Sequence, residues 1–274
     1  MNLPPAKTLI TFNIIATVIF ATLLIISILS PVENQNHHYF YGEAANGIWL
    51  IVLFLMFLFC GYTAYQFKKQ NLETTRIIEQ IGAWYFIAAI GVSVWVYTWQ
   101  HDDYVLSMCF ILITLLSLAQ FYKVVSTARP LKYDDNIYIH FLASMSFSWA
   151  LLLSLANLAA FIKALGWSAT PDAEAGWAAL LIIVAALAGV VMIFKKQDVP
   201  FAVVVIIALF SVFTQSYEHN SQDTSTRIIT ASKFSLTLLT IYTVLNIIGK
   251  RVYLFDKIEV EKPTKSKKKE VAFI

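Results

Sequence analysis

The chain has 274 residues, 58% of them hydrophobic and 15% aromatic, with a formal charge of +3. Repeated apolar runs of membrane length exclude a soluble single-core domain, because one core cannot hide them all. The small positive balance gives no nucleic-acid signal, and no Gly-rich phosphate loop, HExxH or GxSxG motif appears.

A membrane crossing needs about 17–25 apolar residues as a helix. Stretches of that kind predict eight crossings and an all-α polytopic fold. They are Leu9–Leu29, Gly47–Phe67, Ile81–Trp99, Tyr104–Tyr122, His140–Phe161, Trp177–Phe194, Phe201–Gln215 and Ile228–Ile248. The first run is long for a secretory leader, and no small-residue cleavage site follows it. The polar loop after it carries His37 and His38, expected as solvated loop residues. In the second crossing, Trp49 sits at one end and Tyr62 and Tyr65 at the other, as aromatic belts require. The loop KKQNLETTRIIEQ is expected to continue into helix at the membrane surface. Cys60 and Cys109 fall within crossings, where they read as small apolar packers rather than a disulfide or metal ligands.

In the third crossing Trp84, Ala88, Gly91 and Trp95 are spaced to form one stripe, with Trp99 one turn further. Indoles flanking a glycine predict a shallow groove with flat aromatic walls. Two readings stay open: helix packing with interfacial anchoring, or a slot for a flat lipophilic ligand. The four-residue break QHDD then forces an antiparallel hairpin with the fourth crossing. The fifth crossing carries Ser144, Ser146, Ser148, Ser154 and Asn157, so it should face other helices or a cavity. Ala185 and Gly189 in the sixth allow close helix approach, and Pro200 opens the seventh after a tight turn. No carboxylate lies deep in a predicted crossing, which argues against a pump built on intramembrane acids. Lys233 in the eighth could suggest a retinal Schiff base. That chemistry would want seven crossings and an acid on the third, and neither is present; snorkelling is the better expectation, with Glu218 or Asp223 as partners.

Of the 20 basic residues, all but Lys163, Arg227 and Lys233 fall on one side of this topology. The positive-inside rule therefore predicts cytoplasmic termini and supports an even number of crossings. The stretch from residue 250 to 274 is basic and is expected as a cytoplasmic tail drawn to anionic headgroups.

The third-crossing run IGAWYFIAAIGVSVWVYTWQH, Trp49, the pair Trp149 and Asn157, and the continuation LAAFIKALGW together resemble the TspO/MBR family of tryptophan-rich sensory proteins and translocator proteins. The likeness is to the branch with three helices added to a five-helix core. It implies a core over residues 1–168, three further crossings over 169–249 and the tail over 250–274. It departs in two places: the prolines usual before the second helix are replaced by YGEAANGIW, and Val92 stands where the family has Asn. The resemblance implies a non-enzymatic receptor or carrier, sensing or transporting a flat hydrophobic molecule such as a porphyrin or haem-like tetrapyrrole, with no required cofactor. Porphyrin modification would be a third function, but no acid, base or nucleophile set supports it. The implied ligand site is Trp49, Gly91, Trp95, Trp99, Ser146, Trp149 and Asn157, with no metal. The expected partners are the lipid bilayer, a hydrophobic small molecule, and a homodimer or larger membrane complex, and no nucleic acid. An accessory or scaffold subunit of such a complex is the alternative. The expected location is a bacterial inner (plasma) membrane.

Overall fold

The computed structural model describes residues 6–29, 46–67, 72–129, 131, 133–167, 170–218 and 224–248. His37, His38, Glu218 as a side chain, Asp223 and the basic tail lie outside the described residues, as does the side chain of Trp49. Among the described residues there are eight long helices and no strand. They are α1 (Ala6–Leu29), α2 (Asn46–Tyr65), α3 (Leu72–Gln100), α4 (Tyr104–Thr127), α5 (Tyr133–Ala164), α6 (Pro171–Lys196), α7 (Val199–Glu218) and α8 (Thr224–Ile248). Five of them, α3 to α6 and α8, are long and apolar enough to cross a membrane. The other three contain shorter apolar stretches, Ile10–Leu23, Leu55–Tyr65 and Val199–Thr214. The protein is an all-α, multi-pass membrane protein. The surface loop after α2 does turn helical, since α3 starts at Leu72.

The helix ends follow from a few residues. Asp103 caps α4 by accepting from the Leu106 amide at 3.1 Å, and Asp102 in left-handed geometry (φ 57°) closes the QHDD turn. Gly166, at φ 89°, terminates α5 where a side chain would be strained. Thr170 and Pro171 open α6, and Gln197 in the left-handed region ends it, so α6 and α7 are joined by two residues. Inside α5, residues Asn136–Phe141 form a π-helical stretch. Its wider turn brings Asp135, Ile139 and His140 inward together, and all three are buried.

Contacts are most extensive along α3–α4, α4–α5, α6–α8 and α1–α3. Two glycines explain the closest approaches. A Cβ on Gly189 would stand 2.9 Å from Leu239 of α8, so the expected Ala185–Gly189 interface is real. A Cβ on Gly91 would stand 2.5 Å from Thr114 Oγ1 of α4. The groove expected at Gly91 is therefore filled by the neighbouring helix. The indole stripe also breaks: Trp84 is 37% exposed on the outer surface, whereas Trp95 is 8% exposed. Cys60 and Cys109 are free and exposed, so they face outward rather than packing inside. At the ends of α5, α6 and α8, Lys163 pairs with Glu174 at 3.4 Å and Arg227 with Asp172 at 2.9 Å.

Candidate functional site

α5 organises the interior because its polar residues point three ways. Near its end, Asn157 Oδ1 accepts from Trp95 Nε1 at 3.2 Å and from Ser107 Oγ at 2.5 Å. Its amide nitrogen donates to the Leu153 carbonyl at 2.9 Å. One asparagine thus ties α3, α4 and α5 together in a medium with no water to compete. Trp95 meets Trp99 at 6.1 Å and, edge to face, Trp149 at 5.8 Å, while Trp99 meets Tyr104 at 5.5 Å. The structure thus brings Trp95, Trp99, Trp149 and Asn157 together, and Trp95 and Trp149 turn inward while Trp84 does not.

Deeper in the bundle lies a cavity lined by Phe20, Leu55, Phe59, Ala88, Val92, Thr114, Leu118, Ser146 and Trp149. All of α1 to α5 contribute, and no lining side chain is charged. The cavity volume is about 10 Å³, roughly what one water molecule needs. Its surface is apolar throughout, yet two of the residues that form it are unusual. Ser146 Oγ and Trp149 Nε1 are buried and have no hydrogen-bond partner. Leaving such a donor unmet costs about 1–3 kcal/mol. Val92, the position that departs from the family pattern, lies on this wall and adds to its apolar character. Trp95 and Trp99 stand beyond Trp149 and do not line the cavity. Gly91 faces α4 instead, and nothing is described for the Trp49 side chain.

Two buried carboxylates, both outside the predicted crossings, were not legible as such. Asp198, in the α6–α7 turn, is fully buried. It accepts from Tyr122 OH at 2.6 Å, Ser144 Oγ at 2.5 Å and the Phe201 amide at 3.2 Å, with His140 Nε2 at 3.3 Å. Arg129 touches the same Nε2 of His140 and donates to the Lys196 carbonyl at 3.3 Å. Asp135 accepts from Tyr65 OH at 2.8 Å and Thr74 Oγ1 at 2.9 Å. The readable signal at Asp198 was an acid directly before Val199–Pro200, the pattern of a helix N-cap. Among the described residues, no three His, Cys, Asp or Glu side chains converge as metal ligands.

A profile of the family described as "TSPO-like protein" matches residues 7–245. The match takes in α1 and most of α8 as well as the middle helices that carry the tryptophans. No curated protein and no solved structure matches the chain.

Proposed function

Because the chain belongs to the TSPO-like protein family, we propose that it is a membrane receptor or carrier that holds a flat, hydrophobic ligand in the cavity between α1 and α5. The observation that carries this reading is the pair of unmet donors, Ser146 Oγ and Trp149 Nε1, on two of the residues that line an apolar and charge-free cavity. A ligand with a hydrogen-bond acceptor relieves both penalties, and its flat face meets the Trp149 ring. The cavity is far smaller than a tetrapyrrole, so such a ligand enters only as the helices part. Trp95 and Trp99 serve as a rigid support behind Trp149 rather than as the first contact. Neither a catalytic role nor a cofactor is part of this proposal. The basic residues of the α2–α3, α4–α5 and α6–α7 connections face the cytoplasm in it, as do both termini.

Titrating the purified protein in nanodiscs with protoporphyrin, followed by tryptophan quenching, tests the reading. Saturable quenching is expected for the natural chain. Ser146→Leu removes one donor and fills the cavity, so it should weaken binding about tenfold or more, the equivalent of about 1.4 kcal/mol. Unsaturable quenching, or equal affinity in Ser146→Leu, overturns it.

A further inference from the structure

One helical turn from the cavity, the facing sides of α1, α2 and α3 change from apolar to polar. On α1, Phe20 gives way to Thr17; on α2, Phe59 gives way to Thr63; on α3, Ala88 gives way to Tyr85. These three side chains form a closed knot: Thr17 Oγ1 lies 2.6 Å from Tyr85 OH and 2.9 Å from Thr63 Oγ1, and Thr63 lies 3.2 Å from Tyr85. A turn further on, Asn13 Nδ2 donates to Gln66 Oε1 at 3.1 Å. Tyr65, next to Gln66, leads to Asp135 and Thr74 at the end of the bundle. The polar groups thus descend in three layers from the cavity toward Asp135.

The seam is not fully satisfied from within. Tyr62 OH, Asn13 Oδ1 and Gln66 Nε2 are buried without a partner. Reversing both amides exchanges their roles but still leaves one donor and one acceptor unmet. An interface that only had to pack would use apolar or small side chains here, since each unmet group is costly in lipid. Three unmet groups beside a knot of hydroxyls instead mark places for water or for a passing polar group. Before Asp135, no side chain in the layers is charged, so an anion finds no counter-charge there.

We propose that the seam between α1, α2 and α3 is a hydrated access route, by which water and the uncharged hydrogen-bonding groups of an amphipathic ligand reach the cavity from the Asp135 end. The passage of ligand rests on the receptor reading above; the hydration of the seam does not.

The test therefore uses no ligand. In a full-length chain with Cys60→Ser and Cys109→Ser, single cysteines are introduced by Thr63→Cys, Gln66→Cys and, as a fully buried apolar reference, Ile111→Cys. Each is treated in nanodiscs with iodoacetamide, a small, uncharged, polar alkylating reagent. Modification at positions 63 and 66 at least tenfold faster than at 111 is expected; equal rates overturn the proposal. Tyr62→Phe gives a second reading that survives misfolding of the cysteine variants. With a water partner, loss of the hydroxyl leaves the melting temperature unchanged or lower. A rise of several degrees means that the hydroxyl was dry, and contradicts the route.

Discussion

Single atoms decide how closely these helices meet. Thr114 Oγ1, which donates to the Phe110 carbonyl at 2.9 Å, occupies the space that a Cβ on Gly91 would need. Gly91→Ala should therefore cost about 1–3 kcal/mol by overpacking, read as a lower melting temperature in detergent. Adding Thr114→Ala removes the obstructing oxygen and should restore most of the loss; no loss in the single variant, or no recovery in the double, contradicts the contact. The same spacing argument that placed Gly91 on a ligand-facing stripe placed Trp84 there too, and both faced elsewhere. Helices in lipid are apolar on every side, so periodicity names a stripe without saying whether it meets lipid, a helix or a void. Asn157 was more legible. A carboxamide inside an apolar run must find donors and acceptors, and it found them on Trp95 and Ser107.

At the scale of the element, α5 packs on α2, α4, α6 and α7 and bonds to α3 through Trp95. Its serines at 144 and 148 reach Asp198 at 2.5 Å and the Phe201 carbonyl at 3.0 Å, both on the α7 side. Ser146 and Trp149 turn to the cavity, and Ser154 satisfies itself on the Ala150 carbonyl at 2.7 Å. The expectation that this polar helix would face helices or a cavity held at each of these residues. What escaped sequence reading was the partner: Asp198 lies in the tight turn before Pro200, and the two-residue α6–α7 connection drives it into the interior. Asp198→Ala leaves the Tyr122 and Ser144 hydroxyls and the Phe201 amide without their acceptor. Each buried donor left unmet costs about 1–3 kcal/mol, so the variant should be destabilised by several kcal/mol. Denaturant unfolding of the purified variant checks this. Unchanged stability would mean that the cluster does not fasten α7 to α5.

For the whole molecule, eight apolar runs separated by charge were enough to read eight helices, because length and hydropathy alone set what crosses a bilayer. The three-dimensional order of the bundle was not readable that way. α7 packs on α5, α2 and α8, contacts made possible by Asp198, by Phe201 at 5.7 Å from Phe147, and by small residues at the seams. Among the described residues the outward surface carries many large apolar side chains, Leu116, Phe194 and Phe234 among them, as a bilayer demands. A hydrophobic ligand thus has two choices, the coat or the cavity, and only the second makes the protein a receptor. Photo-crosslinking with a flat lipophilic diazirine in nanodiscs, followed by mass mapping of the adducts, separates them. A receptor with this cavity gives adducts on Val92, Leu118, Ser146 and Trp149 that unlabelled ligand suppresses; adducts confined to Leu116, Phe194 and Phe234, or insensitive to competition, would contradict it.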